Sequence, residues 1–175
     1  YKGRILKVTA DEDGTIKETV VVADHMEHPN GIRIRGDYLY VTQSYLHPVK
    51  DPSGKLVSCV YRFRLDEHDV HITNTLEDPN ILTTLITENP ECQYGADGIA
   101  FDSKGDLYVG NFGDGTVWKI TLNEDGTVKE KEIYARDPEE LVSTDGMVFD
   151  DEGNLYIADF CANAIVKVDQ NRTVK

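Results

Sequence analysis

A β-propeller assembled from four-stranded antiparallel blades is the fold this sequence predicts, and three recurrences predict it. One phrase is written three times. Asn30-Gly31-Ile32-Arg33-Ile34 leads into Tyr38-Leu39-Tyr40-Val41-Thr42, Asp97-Gly98-Ile99-Ala100-Phe101 into Asp106-Leu107-Tyr108-Val109-Gly110, and Asp145-Gly146-Met147-Val148-Phe149 into Asn154-Leu155-Tyr156-Ile157-Ala158. A second phrase is written twice: Val8 to Glu18 around Asp13-Gly14, and Ile120 to Glu130 around Asp125-Gly126. Third, strands mixing cations with apolar residues recur at Arg4 to Val8, Val60 to Arg64, Thr116 to Ile120 and Ala164 to Val168. Such units cannot bury their faces alone and must stack on neighbours.

Each unit reads as four strands. Strand A follows the Asx-Gly step, strand B is the Tyr-bearing run, strand C carries the cations, and strand D follows the Asp-Gly turn, which closes C and D as a hairpin. Period-two alternation bounded by Gly and Asp turns predicts strands near 31–35, 38–43, 58–65, 98–102, 106–111, 115–121, 146–149, 154–158 and 163–168. The 48 residues from Asp97 to Asp145 suit a blade. The 67 from Asn30 to Asp97 leave about a score to place, assigned here to the loop Ser44 to Leu56 and the segment Asp78 to Tyr94. Within the latter, Ile81 to Ile86 reads as either an outer strand or a short helix. The 175 residues are thus one partial propeller domain of about three and a half blades, approximately 1–24, 30–77, 97–135 and 145–175. Fewer than the four to eight blades of a ring imply that other blades, from further chain or a partner chain, complete it. The opening Tyr1-Lys2-Gly3-Arg4 has neither an initiator Met nor a signal peptide and reads as internal.

Bulk composition narrows the partners. A formal net charge of −14 opposes nucleic acid and anionic membrane, whose capture depends on Lys and Arg. No apolar run is long enough for a membrane helix, so a soluble protein is expected, cytoplasmic or secreted or periplasmic. Cys59, Cys92 and Cys161 are odd in number and lack zinc-ligand spacing, so no disulfide framework is expected.

The Asx of each unit enters strand A at one phase, so closure would aim Asn30, Asp97 and Asp145 at a shared axis. The turn-forming habit of Asx-Gly explains the same recurrence without function. Strand B returns to the same mouth, placing Gln43-Ser44-Tyr45, Asn111-Phe112 and Asp159-Phe160-Cys161 around it. Ser44, Asn111, Phe112 and Phe160 are therefore expected pocket residues, with His47 reaching in from its loop. His25 and His28 make a His-x-x-His without a third partner in sequence, a weak zinc pattern. His28 and His47 are candidates for a general acid or for a donor to a ligand. The single Trp118 is assigned to the core.

At His28-Pro29-Asn30-Gly31-Ile32, Gly95-Ala96-Asp97-Gly98-Ile99 with Leu107-Tyr108-Val109-Gly110-Asn111-Phe112, and Thr144-Asp145-Gly146-Met147, the chain resembles the calcium-dependent six-bladed propeller hydrolases. These are the gluconolactonase/senescence-marker-protein family, with diisopropyl-fluorophosphatase-like and paraoxonase-like relatives. The resemblance implies a catalytic Ca²⁺ at the mouth of the central tunnel, another divalent cation such as Zn²⁺, Mg²⁺ or Mn²⁺ being an alternative. Asn30 and Asp97 would be its later-blade ligands, and Asp145 a further candidate. The family's early-blade Glu and Asn have no counterpart here. Oxygen ligands from separate blades suit Ca²⁺, and open positions let it act as a Lewis acid. Asp97 would be the catalytic residue, as nucleophile or as base for water. Phe112 matches an aromatic pocket position of the fluorophosphatase-like relatives. The expected substrate is a small lactone or ester. Organophosphate or aryl-ester hydrolysis on the same scaffold, a non-catalytic interaction propeller, and a metal-free strictosidine-synthase-like propeller are the competing readings.

Overall fold

The computed structural model describes residues 3–175, so Tyr1 and Lys2, where the expected first blade begins, lie outside the described residues. Four sheets follow one another along the chain. The first holds β1 (Gly3–Ala10) and β2 (Ile16–Met26). The second holds β3 (Pro29–Arg35), β4 (Tyr38–Gln43) and β5 (Leu56–Arg64). Between β5 and its outer neighbour the chain leaves to lay a two-residue strand, β6 (Val70–His71), parallel against β2, then returns as β7 (Ile81–Thr87). Ile81 to Ile86 is thus the outer strand. Part of the extra length of this unit, placed by the sequence in two other segments, is this excursion to the first sheet.

The third sheet is β8 (Ala96–Phe101), β9 (Leu107–Asn111), β10 (Thr116–Leu122) and β11 (Val128–Arg136), with a 3-10 turn at Phe112–Asp114. The fourth is β12 (Met147–Phe149), β13 (Leu155–Asp159) and β14 (Ala164–Val168), where Val174 makes one antiparallel bridge back to Val168. Apart from β6, every pairing is antiparallel between chain neighbours within a sheet. The sheets form a β-propeller arc, and no helix among the described residues is long and apolar enough to cross a membrane.

Alternation along strand B is what packs one sheet on the next. Leu39 and Val41 join Ala23, Met26 and Phe63 between the first and second sheets, while Tyr40 joins Leu85, Ile99, Leu107 and Val109 between the second and third. Tyr108 then joins Met147, Leu155 and Ile157 between the third and fourth. Each middle sheet is therefore buried on both faces, and each apolar side chain so removed from water contributes about 1.5–3 kcal/mol. Trp118 is only half-buried at the edge of the middle cluster.

The innermost strands β3, β8 and β12 are joined by one repeated backbone contact. At Asn30-Gly31 and at Asp97-Gly98 the strand carries an extra residue relative to its partner, a β-bulge. The bulge presses the next unit's Asx carbonyl onto the preceding unit's glycine. A Cβ on Gly31 would meet the Asp97 carbonyl oxygen, and one on Gly98 would overlap that of Asp145. Among the described residues nothing lies within 4 Å of the equivalent point at Gly146. Thr42 completes the first joint: its hydroxyl donates to the Asp97 carbonyl at 2.5 Å and accepts from the Gly31 N–H at 2.8 Å. Arg33 Nη2 reaches past β8 to the Met147 carbonyl at 3.1 Å, so the three strands curve around a common axis.

Gly98→Ala is expected to destabilise the chain by about 2–3 kcal/mol, because backbone rather than a yielding side chain occupies the space. In the 175-residue chain by itself, Gly146→Ala should stay within about 0.5 kcal/mol of the parent. Urea unfolding of both variants measures this, and equal losses would show that the joint does not act through these glycines.

Candidate functional site

The Asx side chains enter one cleft at the head of the inner strands, Asn30 and Asp97 from the bulges. Asn30, Asp97 and Asp145 line it together with His28, Pro29, Ser44, Tyr94, Phe112 and Phe160, around a volume of about 240 Å³. The three Asx residues come from three successive sheets, as identical phase requires. Asn30 is exposed, Asp145 half-buried and Asp97 only 5% exposed.

Asp97 is the electrostatic centre of this cleft. Its Oδ1 is buried with no hydrogen-bond partner among the described residues. Burial, reinforced by the negative charge of Asp145, pushes its carboxyl up to about 7. An unpartnered carboxylate oxygen beside a second carboxylate and an amide carbonyl is a donor set of hard oxygens, the kind a Ca²⁺-class cation takes. By donor type, Asn30, Asp97 and Asp145 fit such an ion.

The rim is aromatic. Tyr45 and His28 lie 4.5 Å apart between ring centroids, His28 and Tyr94 5.9 Å, Tyr94 and Phe112 6.1 Å, and Phe112 and Phe160 6.1 Å. Phe160 is 68% exposed, an apolar surface left open to the cleft. The site thus pairs an acidic floor with an aromatic wall.

Ser44, Phe112 and Phe160 hold the same position in successive units and all reach the cleft. The residue before each does something else. Gln43 Oε1 accepts from the Glu27 N–H and its Nε2 donates to Asn74 Oδ1. Asn111 Oδ1 accepts from the Thr87 hydroxyl at 2.9 Å, and its amide donates to the Ile86 carbonyl and to Asp114 Oδ2. Asp159 takes the Val142, Ser143 and Ala162 N–H groups and the Ser143 hydroxyl. Burial works to raise the Asp159 carboxyl, but these donors outweigh it and leave the group below its ordinary value. This buried polar position clasps the end of strand B to the segment entering the unit. Asn111, expected in the pocket, is spent on the clasp because consecutive strand residues face opposite sides.

His47 lies elsewhere, in a separate cleft with Tyr45, Lys50, Lys55, Asn89 and Gln93, its N–H donating to Glu27 Oε2. Tyr94 is the contributor that sequence reasoning passed over. Its only sequence signal is its place just ahead of Gly95-Ala96-Asp97. Cys161 is exposed and Cys59 buried, and neither lines the cleft.

A folded-state carboxyl raised from about 3.8 to about 7 gives a stability term that is full below the unfolded value, declines as pH rises through this interval, and is flat above it. In chelator-treated protein, Asp97→Asn should therefore melt with the parent at pH 4 and roughly 3 °C or more above it at pH 8. A constant offset between the two melting curves would show that Asp97 does not titrate in this window.

No protein-family model matches the sequence, and a search of curated proteins returns no match. Solved structures do match. A luciferin-regenerating enzyme superposes with a TM-score of 0.62 at 15% identity, covering 97% of this chain and 53% of that one. A gluconolactonase from Xanthomonas campestris gives 0.54 at 15% identity, covering 95% and 52%. A protein of unknown function from Bacteroides caccae gives 0.50 at 14%, covering 98% and 55%. The chain thus spans about half the length of each of these structures. The gluconolactonase and the luciferin-regenerating enzyme are propeller-type proteins, in keeping with the resemblance read from Pro29-Asn30-Gly31 and Ala96-Asp97-Gly98, and the likeness fixes the fold of this chain as part of a β-propeller.

Proposed function

We propose that the axial cleft is the active site of a metal-dependent hydrolase that opens small lactones. One observation carries this reading: the buried, unpartnered Oδ1 of Asp97 lines a cleft shared with Asn30 and Asp145. Leaving a carboxylate oxygen buried and unpaired costs free energy that a purely structural turn would have no reason to retain. Asn30 and Asp97 would hold a divalent cation, Ca²⁺ foremost, with Asp145 a further ligand. Such an ion, when bound, supplies Lewis acidity toward a carbonyl oxygen. The remaining ligands and the far wall would come from further blades, in the rest of a longer chain or in a partner chain.

In this scheme Asp97 either takes a proton from the water that attacks the ring carbonyl, or attacks that carbonyl itself. The ring C–O bond then breaks, and the ring oxygen leaves as a hydroxyl with a proton from water. On the second route water hydrolyses the resulting anhydride to free Asp97. Its enclosure limits competing contacts with solvent. The arc of Tyr94, Phe112 and Phe160 sets the approach of the substrate by apolar contact, and Ser44 offers a hydroxyl to a substrate oxygen. That aromatic wall favours aryl esters or apolar organophosphates as a second substrate class.

In the intact protein with saturating Ca²⁺, Asp97→Asn should lower kcat/KM for a sugar lactone by about 10³-fold or more, the scale of losing a group that acts in the transition state. Asp145→Asn should cost less than about tenfold. Equal small losses would remove both carboxylates from the chemistry, and full activity after exhaustive chelation would remove the cation.

A further inference from the structure

The His-x-x-His of the sequence splits in the fold. His28 goes to the axial cleft, whereas His25 turns to a different neighbourhood and finds the third partner that the sequence did not offer. β6 lies parallel to β2 with His71 opposite Asp24. Both imidazoles address one carboxylate oxygen: His25 Nδ1 is 2.5 Å and His71 Nδ1 2.6 Å from Asp24 Oδ1. The two rings stand edge to face, 5.3 Å apart. One donor atom from each of the three residues lies within 4.8 Å of the others.

The backbone is bent to bring this about. Asp24 and His25 are sequence neighbours on a strand and would ordinarily point to opposite faces. Between Ala23, paired with Ile5, and Met26, paired with Gly3, β2 holds two residues against one on β1. This bulge puts His25 at φ +60°, in the left-handed region. The consequence is visible in burial: Ala23 and Met26 are both buried, and the two residues between them both face outward. Asn74, itself at φ +56°, donates to the His25 carbonyl at 2.8 Å and is held in turn by Gln43. The Ile72 N–H donates to the Asp24 carbonyl. An ion pair at the surface would need none of this backbone arrangement.

We propose that Asp24, His25 and His71 form a second metal site, separate from the axial cleft, for a zinc-class divalent cation. Two imidazole nitrogens and one carboxylate oxygen are the donors of Zn²⁺, Co²⁺ and Ni²⁺ sites rather than of Ca²⁺ or Mg²⁺. The ion takes the place of the two contacts between the ring Nδ1 atoms and Asp24 Oδ1. His25 and His71 have side chains 52% and 68% exposed, so water takes the remaining positions. The bound ion cross-links β2 to β6 and so pins the excursion between β5 and β7 to the first sheet.

The test is calorimetric titration of chelator-treated protein with Zn²⁺, in an Asp97→Asn background so that the axial cleft contributes less, followed by Co²⁺ absorption spectra. The expected result is one ion per chain, with ligand-field bands of low-coordinate Co²⁺. His71→Ala and His25→Asn should each weaken binding by at least about tenfold while leaving the metal-free circular dichroism melt unchanged, since His71 is exposed and Asn tolerates the left-handed backbone. Absence of stoichiometric Zn²⁺ binding, or parent affinity retained in either variant, would overturn the proposal. Because the readout is binding at residues outside the axial cleft, failure here and failure of the lactonase reading are separate results.

Discussion

The structure depends on a close approach between backbones: the Asx carbonyl of one unit resting on the glycine of the unit before it. Only a residue without Cβ admits that approach. The buried carbonyl must still be satisfied, and at the first joint the Thr42 hydroxyl does so while also taking the Gly31 N–H. At the second joint Gly110 stands where Thr42 does in the preceding unit, and the side chain of Thr144 fills the space a Cβ there would need. The Thr144 hydroxyl is itself buried with no hydrogen-bond partner among the described residues, so the second joint is filled by shape and not closed by a hydroxyl as the first is. Structural glycine and cleft-lining Asx are therefore adjacent for one reason.

That geometry concentrates charge. In this acidic chain several carboxylates are held by local donors, as Asp102 is by the Lys104, Gly105 and Asp106 N–H groups and Asp150 by those of Glu152 and Asn154. Asp97 is the opposite case, enclosed and facing a second negative group. Asp159, one register position from the same cleft, shows that the fold can satisfy a buried carboxylate when it is used as a clasp. Asp97 and Asp159 thus differ in surroundings: the Oδ1 of the first is enclosed with no donor among the described residues, and the second is enclosed by three N–H groups and a hydroxyl.

Most of the strand plan was legible because alternation and turn chemistry are local. Strand B of the second unit, Tyr38–Gln43, has the bounds the sequence predicts. The convergence of Asn30, Asp97 and Asp145 was legible as phase within a repeat. The roles of neighbours were harder to read. Ser44 and Phe112 follow Gln43 and Asn111, and a sequence does not say which residue of such a pair faces outward when the strand ends in a turn. Least legible was β6. Two residues pairing in parallel with a strand 47 positions away leave no periodicity, so the meeting of His71 with Asp24 and His25 is a purely tertiary fact.

The joint between units has a direction. Glycine receives and carbonyl gives, so no unit can pair with another face to face in a self-complementary way, and every contact is head to tail. In the language of assemblies this is a heterologous interface, which closes into a ring or continues without end according to the rotation per step. A ring made this way has no privileged seam, since each joint repeats the same exchange.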